Sequence, residues 1–177
     1  MADKKKIIIW GFPGVGKSLV ANGKRIFDVD SAYFRFHMFD TIFSPEIQLE
    51  YQDILEKPYP ENLIYFIKDV NADVVLTNCH VSLLHRFENV YLIYPTVELK
   101  EAFLRCYKNR GNDKSYIEYM SDTYEEILAA LAALTYPRYI ITEEDTYLKD
   151  IIFDDKGELD LSRFRNETVR TISREGR

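Results

Sequence analysis

The stretch IIIWGFPGVGKS at residues 7–18 decides the fold. Its first part is apolar and mostly β-branched, which predicts a buried strand. The remainder, GFPGVGKS, matches the phosphate-binding pattern GxxxxGK[ST] in full. An apolar strand precedes this match and a helix is predicted to begin near Gly16, which is the context that the pattern requires. A chance match to a short pattern is the alternative, and the context argues against it.

Residues 11–18 are called the glycine loop below. Its glycines allow backbone N–H groups to turn inward around an anion at a helix N-terminus. In loops of this pattern the lysine, here Lys17, reaches the β- and γ-phosphates, and the hydroxyl that follows, here Ser18, ligates Mg²⁺. ATP and Mg²⁺ are therefore the predicted cofactors. The predicted cofactor-binding residues are Gly11, Pro13, Gly14, Val15, Gly16, Lys17 and Ser18.

Predicted strands and helices alternate along the rest of the chain. Further strands are predicted at residues 25–30, 73–77, 90–94 and 139–142, and helices at about 45–55, 60–71, 81–87, 97–110, 114–134 and 147–152. The helix after the glycine loop is short, because Asn22-Gly23 is typical of a C-terminal cap. This order predicts an α/β protein: a three-layer αβα P-loop fold around a central five-stranded, mainly parallel sheet. A length of 177 residues suits a single kinase-like domain spanning 1–177.

The composition narrows the classes of partner. The net charge of -6 is opposite in sign to that expected of a duplex-binding protein, so we expect a small-molecule substrate rather than nucleic acid. The arginines near the end of the sequence alternate with acids, which is typical of a solvated helix or a loose tail. These arginines are Arg163, Arg165, Arg170, Arg174 and Arg177.

The cysteines and the apolar runs predict a location. Cys79 and Cys106 belong to no CxxC pair, so no zinc site is indicated, and a reducing compartment is favoured over a disulfide. The apolar run after Lys6 is too short for the core of a signal peptide. No run approaches the length of a membrane span. The sequence thus predicts a cytoplasmic protein that does not enter a membrane.

An acidic pair follows the second predicted strand. Asp28 and Asp30 alternate along that strand, so both side chains face one side at the edge where α/β sheets bind ligands. Asp28 is a candidate metal-side acid, and Asp30 is a candidate partner for an acceptor hydroxyl. The alternative for Asp30 is that it caps the following helix.

Two other classes of nucleotide-binding protein lose support. A GTPase needs an Asn-Lys-x-Asp segment to read its base, and the sequence has none. Motor and AAA-type ATPases have Asp-Glu at the end of the third strand. Here the third strand ends in Thr77-Asn78, with no acid.

The order of glycine loop, short helix, Phe27-Asp28-Val29-Asp30, acceptor segment and arginine-bearing lid resembles the nucleoside monophosphate kinase superfamily. It is similar above all to small phage-type proteins described as nucleotide kinases, which have a YxxRGND-like lid after strand four. The resemblance spans about residues 6–152. It implies an acceptor-binding segment at about 31–59 and a lid at about 105–120. Unlike many of these kinases, the chain has Thr77-Asn78-Cys79-His80 instead of an Asp-Gly-x-Pro-Arg turn, which argues against a plain adenylate kinase.

The resemblance also implies roles for individual residues. Lys17, Asp30, Arg105 and Arg110 are expected to be catalytic, with the two arginines closing over the transferring phosphoryl group. A solvated helix face is the alternative for both arginines. Ser18 and Asp28 are expected to be metal ligands. The expected substrate-binding residues are Asp28, Asp30, Arg35, Asn78 and His80, with Arg35 on an acceptor phosphate.

Other residues near these positions allow two interpretations. Asn78 and His80 follow strand three, where they either contact the acceptor or cap the next helix. Aromatic residues at the start of the acceptor segment either stack on a base or form its core. These aromatic residues are Tyr33, Phe34, Phe36 and Phe39. By the resemblance, residues 142–147 lie where related kinases place adenine.

The sequence therefore predicts an ATP:Mg²⁺-dependent kinase whose small acceptor is a (deoxy)nucleoside or its monophosphate. One alternative is a kinase for a nucleic-acid 5′ end or a modified base. Another is a nucleotide-binding regulator without transfer activity. The identity of the acceptor, the preference between ATP and GTP, and the oligomeric state stay open at this level.

Overall fold

The computed structural model describes residues 5–22 and 25–166. Its centre is a five-stranded sheet in the order β2-β3-β1-β4-β5, and all four strand pairings are parallel. This confirms the predicted α/β class and the parallel sheet. The strands are β1 (Ile7–Gly11), β2 (Ile26–Val29), β3 (Val74–Thr77), β4 (Val90–Pro95) and β5 (Arg138–Ile141).

Helices connect the strands and cover the sheet. The α-helices are α1 (Lys17–Val20), α2 (Ser31–Arg35), α3 (Pro45–Glu50), α4 (Gln52–Leu55), α5 (Glu61–Asp69), α6 (Lys100–Asn109), α7 (Lys114–Ala132) and α8 (Leu148–Ile152). Three short 3₁₀ helices span Phe39–Thr41, Val81–Arg86 and Val97–Leu99. In the part of the chain that the structure describes, no helix is both long and apolar enough to span a membrane.

The central strands are buried on both faces, as parallel strands covered by helices must be. Every residue of β3 is buried, and Ile9 on β1 has no exposed surface. This explains why these strands appear in the sequence as continuous apolar runs rather than alternating ones. From β1 the chain passes to β2 and β3 on one side of the sheet, and β4 and β5 lie on the other. Ligands of open parallel sheets bind at such a change of direction, next to the carboxyl end of the central strand.

Some predicted helix boundaries differ from the structure. The stretch predicted as a helix at 45–55 is two helices that meet at Tyr51, whose ring is buried against Phe66 at 5.1 Å between centroids. The predicted helix at 81–87 is a 3₁₀ helix. The helix after the glycine loop is short, as predicted, but its C-cap is Ala21. Of the predicted cap pair, Gly23 lies outside the described residues.

The acceptor segment is organised around a cluster of aromatic rings. Phe34 is fully buried and contacts Phe39, Phe43 and Phe66 with ring centroids 5.3, 6.0 and 5.3 Å away. Phe36 is exposed. Phe34 and Phe39 therefore belong to the core of the segment, which was one of the two interpretations of these aromatic residues.

Arginines near the end of the described chain are used locally. Arg163 donates to the carbonyls of Asp150 and Phe153, and Arg165 donates to that of Ser162. Residues 153–165 form isolated bridges rather than a helix, since Phe153 pairs with Leu159 and Arg138 with Arg165. The predicted tail arginines Arg170, Arg174 and Arg177 lie outside the described residues.

Asn62 ties the acceptor segment to α5. Its side chain is fully buried, and its amide nitrogen donates to the carbonyl of Phe34 at 3.0 Å. We predict that Asn62→Leu lowers the free energy of unfolding by about 1–3 kcal/mol, because the buried Phe34 carbonyl loses its partner. Urea denaturation measures the loss. The exposed Asn71→Ala, just beyond the same helix, should change stability by less than about 0.5 kcal/mol. Equal effects of the two substitutions would contradict the assignment.

Candidate active site

A cavity of about 720 Å³ opens at the carboxyl edge of the sheet. Residues that follow β1, β2 and β3 meet the acceptor segment and the start of α7 around it. The strand register explains the convergence: Trp10 and Val29 both pair with Thr77, so the next residues of all three strands lie at one level. The polar residues that line the cavity are Lys17, Ser18, Asp28, Asp30, Tyr33, Asn78, Tyr107, Arg110, Asn112, Tyr116 and Tyr147.

The glycine loop has the backbone geometry of an anion-binding nest. Gly14 and Gly16 have φ values of 94° and 90°, which residues with a side chain rarely adopt. A Cβ atom on Gly14 would also lie 3.1 Å from Cε1 of Tyr107. Among the described residues, no protein acceptor is bonded to the backbone N–H groups of Gly14, Gly16 or Lys17. Consecutive donors of this kind suit a ligand with several anionic oxygens.

Neighbouring elements fix the position of the glycine loop. The Tyr107 hydroxyl on α6 donates to the carbonyl of Pro13 at 2.7 Å, and the N–H of Leu148 on α8 donates to the carbonyl of Val15 at 2.8 Å. Burial raises the pKa of Tyr107, so the hydroxyl stays protonated and remains a donor. The sequence analysis missed Tyr107. Its spacing from Leu99 and Phe103 along the apolar face of α6 was the available signal.

Lys17 is buried at the base of the loop, with 8% of its surface exposed. Its Nζ donates to the carbonyl of Gly11 at 2.9 Å, and its methylene stem crosses Gly11, where a Cβ atom would lie 3.1 Å from Cδ. Burial lowers the pKa of Lys17, while the charges of Asp28 and Asp30 raise it. The ammonium is thus a partly compensated cation at the floor of the cavity.

Asp28 lines the cavity, and one of its carboxylate oxygens has no hydrogen-bond partner. Its Oδ1 is buried and unpaired, which is costly for a polar atom. Burial raises the pKa of Asp28, and the nearby Lys17 charge opposes this effect. Ser18 lines the same cavity. Within the described residues, no group of three acidic, histidine or cysteine side chains is suited to a metal.

Asp30 and Asn78 organise the junction of β2 with α2. Oδ1 of Asp30 accepts from the N–H of Ala32 at 2.9 Å and caps α2, which agrees with the capping alternative. Asp30 also lines the cavity, so the cap and a role in the site are compatible. Oδ1 of Asn78 accepts from the N–H of Ser31 at 3.0 Å, and Asn78 lines the cavity beside it.

Two of the predicted substrate-binding residues lie away from the cavity. Arg35 is exposed near the end of α2, with its guanidinium 5.7 Å from the ring centroid of Tyr59. His80 is exposed and caps the 3₁₀ helix that follows it, where Nδ1 accepts from the N–H of Ser82 at 3.3 Å. Neither side chain lines the cavity in this structure. The geometry therefore gives His80 the role of a helix cap, which was the alternative at that position.

The arginines of the predicted lid occupy different places. Arg110 lines both the main cavity and an adjoining groove of about 320 Å³ between α6 and residues 144–147. Arg105 lines only this groove, and its guanidinium pairs with Glu144 at 3.1 Å across it. Both partners are well exposed, at 61% and 59% of their side-chain surfaces. The structure therefore brings Arg110 to the main cavity and leaves Arg105 at its margin.

Apolar and tyrosine side chains complete the cavity. The sequence analysis placed some of them only within the acceptor segment at 31–59 or the adenine segment at 142–147, and it did not assign Phe27 or Tyr116 to the site. Tyr116 on α7 lies close enough to Asp30 for the Asp30 charge to add to the effect of burial, and both raise the pKa of Tyr116. The long spacing between the acceptor segment and α7 carries no sequence signal for this contact. The other lining residues of this kind are Phe27, Ile42, Phe43, Ile47 and Tyr147.

The buried carboxylate of Asp28 leads to a prediction about stability and pH. Because its pKa is raised above 3.8 in the folded protein, Asp28 stabilises the fold at low pH and loses this contribution as pH rises through the raised pKa. We predict that Asp28→Asn raises the free energy of unfolding by about 1 kcal/mol near pH 7. The gain in stability should shrink as pH falls towards 3.8, because the Asp28 carboxyl is then protonated in the wild-type protein. Urea denaturation of both proteins, near pH 7 and near pH 3.8, measures the difference in the free energy of unfolding.

Asp40, which is exposed, provides the matched control. Asp40→Asn should change stability by less than about 0.5 kcal/mol at either pH. A loss of stability in Asp28→Asn at neutral pH would show that the carboxylate stabilises the ligand-free fold.

No protein-family model matches the chain, and a search of curated proteins found no match. Function is therefore inferred from the residues and contacts of the cavity itself.

Proposed function

We propose that the protein is an ATP:Mg²⁺-dependent phosphotransferase that acts on a small hydroxyl-bearing acceptor, a (deoxy)nucleoside or nucleoside monophosphate. The observation that supports this most is the position of Lys17. Its buried ammonium lies at the glycine loop, where the backbone N–H groups of Gly14 and Gly16 are unpaired among the described residues. Lys17 lines the cavity together with Asp28, whose buried Oδ1 is also unpaired. An anionic ligand that arrives with a metal ion compensates all three groups together.

In this proposal the glycine loop is a P-loop that binds the donor triphosphate. The unpaired N–H groups of Gly14 and Gly16 bind phosphate oxygens, and Lys17 moves from the carbonyl of Gly11 to the β- and γ-phosphates. The groove beside α6 takes the base, since it adjoins the loop at Gly14 and is walled by Tyr147. Gly14 and Tyr147 line the groove as well as the cavity, so in this proposal one nucleotide extends from the cavity into the groove.

Ser18 and Asp28 fit a magnesium ion bound to the donor. The unpaired, buried oxygen of Asp28 is a hard oxygen ligand, and the Ser18 hydroxyl is of the same kind. Mg²⁺ usually keeps several waters and is bound through one or two carboxylates together with substrate phosphates, so two protein ligands would be enough. When bound, the ion neutralises charge on the β- and γ-phosphates.

Asp30 is the residue placed to receive a proton from the acceptor. One of its oxygens is used to cap α2, which holds the carboxylate in place and leaves the other for the acceptor hydroxyl. In the transfer, the hydroxyl oxygen bonds to the γ-phosphorus while its proton passes to Asp30. The bond from that phosphorus to the bridging oxygen breaks, and ADP leaves with the electron pair. Lys17 and Arg110 neutralise the charge on the transferring group.

Arg105 contributes only after a rearrangement. Its ion pair with Glu144 is exposed and therefore weak, so exchanging Glu144 for a phosphate costs little.

Both cysteines are free thiols, which agrees with the proposal that the enzyme works in the reducing cytoplasm.

Lys17 tests the donor site. We predict that Lys17→Ala weakens ATP binding by about 100-fold or more, because the buried cation is the principal charge of the loop. Calorimetric titration with ATP and Mg²⁺ measures the affinity. Lys114→Ala is the matched control, since Lys114 has 90% of its side chain exposed and pairs with Glu118 on the same helix. Full ATP affinity in Lys17→Ala would refute the proposed donor site.

Asp30 tests whether the protein transfers phosphate or only binds nucleotide. With a panel of nucleosides, nucleotides, sugars and oligonucleotides as acceptors, we expect the wild-type protein to release ADP. Asp30→Asn should lower kcat by about 100-fold or more and change ATP affinity by less than threefold, because the amide cannot take the proton. A wild-type protein that binds ATP without turnover on any acceptor would indicate a regulator. Preference for the oligonucleotides would indicate a nucleic-acid kinase.

A further inference from the structure

The side of the cavity formed by β2, the acceptor segment and Asn78 is called the acceptor wall below. Its charge differs from that of the side formed by the glycine loop. It combines aromatic and branched aliphatic side chains with two acids and one amide. Its residues are Phe27, Asp28, Asp30, Tyr33, Ile42, Phe43, Ile47 and Asn78. Among the described residues that line the cavity, the cationic side chains are Lys17 and Arg110, and neither belongs to this wall.

The arginine and lysine side chains of the acceptor segment lie over tyrosine rings and do not line the cavity. Between residues 31 and 59 the basic residues are Arg35 and Lys57. Arg35 lies over the ring of Tyr59 at 5.7 Å, and Lys57 lies over the ring of Tyr65 at 5.6 Å. Both side chains belong to exposed residues outside the cavity lining. The same segment contains the acids Asp40, Glu46, Glu50, Asp53 and Glu56, so its net charge is negative.

This distribution of charge disfavours a second phosphate at the acceptor wall. A phosphate monoester brings roughly −1.5 to −2 charges at pH 7. At the wall it would lie beside Asp30, while Lys17, Arg110 and the proposed magnesium ion at Asp28 are already engaged by the donor triphosphate. An anion removed from water without a cationic partner is strongly disfavoured. A neutral acceptor meets no such cost.

We propose that the acceptor is an unphosphorylated nucleoside rather than a nucleoside monophosphate, an inference that rests on the proposed kinase function. Tyr33 and Phe43 both line the cavity with aromatic rings, which can pack against a base, and Phe43 is held in place by stacking on Phe66 at 4.8 Å between ring centroids. The amide nitrogen of Asn78 is free to donate to the base or sugar, because only its Oδ1 is bonded to Ser31.

With a nucleoside as acceptor, the bonds made and broken in the transfer are the following. A sugar hydroxyl of the nucleoside forms a bond to the γ-phosphorus of ATP, and its proton passes to Asp30. The phosphorus–oxygen bond to ADP breaks, so the products are a nucleoside monophosphate and ADP. Arg35, which was expected on an acceptor phosphate, has no part in this step.

Matched pairs of acceptors test the proposal. ADP release is measured with each common nucleoside and with its 5′-monophosphate, at fixed ATP and Mg²⁺. We expect kcat/KM for the best nucleoside to exceed that of its monophosphate by at least about tenfold. A preference for the monophosphate overturns the inference and leaves the kinase function standing. Turnover of neither acceptor by a protein that binds ATP also overturns it, whereas a failure to bind ATP overturns the proposed function.

A gain of function on the acceptor wall provides the second test. Ile47→Arg introduces a guanidinium on the wall, and it should shift the kcat/KM ratio towards the monophosphate by about tenfold. Leu49→Arg is the matched control, since Leu49 lies on the same helix, is 75% exposed and does not line the cavity. An unchanged ratio in a folded Ile47→Arg protein, with stability checked by urea denaturation, contradicts the charge argument.

Discussion

The burial of the Lys17 ammonium beneath the glycine loop is the constraint on which the rest of the structure depends. A charge removed from water destabilises a fold unless other groups compensate it, and here one carbonyl and two nearby carboxylates do so in part. Contacts from other elements hold the loop around it. Gly14 and Gly16 allow the turn, and the Tyr107 hydroxyl anchors the loop at Pro13. The protein therefore keeps an incompletely compensated cation ready for an anionic ligand.

The parallel sheet determines which groups share the cavity with this cation. In the order β2-β3-β1, three carboxyl ends lie side by side, and the register brings Gly11, Asp30 and Asn78 to one level. An antiparallel arrangement would place alternate strand ends on opposite edges. Asp28, one pleat below, has a buried oxygen without a hydrogen-bond partner. Its burial is a cost to the ligand-free fold that a metal-bound ligand removes.

The aromatic cluster between the acceptor segment and α5 determines the shape of the acceptor wall, because residues of the wall also belong to that cluster. Phe43 lines the cavity and also stacks on Phe66, which belongs to α5. Asn62 joins the same helix to the end of α2 through the Phe34 carbonyl. The stability of the segment and the form of the acceptor site are thus coupled. Cationic residues of the segment lie on its outer surface over tyrosine rings, so the inner surface is apolar and acidic.

The sequence by itself determined the order of the strands along the chain, the parallel sheet and the glycine loop. These depend on local signals, namely continuous apolar runs, turn-forming glycines and the fixed spacing from Gly11 to Ser18. It also indicated Asp28 and Asp30, because alternation along a strand places both on one side.

Only the tertiary structure decided which side chains face the cavity. Arg35 and His80 lie outside it, whereas Tyr107 and Tyr116, from helices far along the chain, line it. The physical reason is that the direction of a side chain on a short helix depends on what the helix packs against. The aromatic core beneath α2, together with the Tyr59 ring beside Arg35, directs that guanidinium outwards. No local pattern in the sequence encodes such long-range contacts.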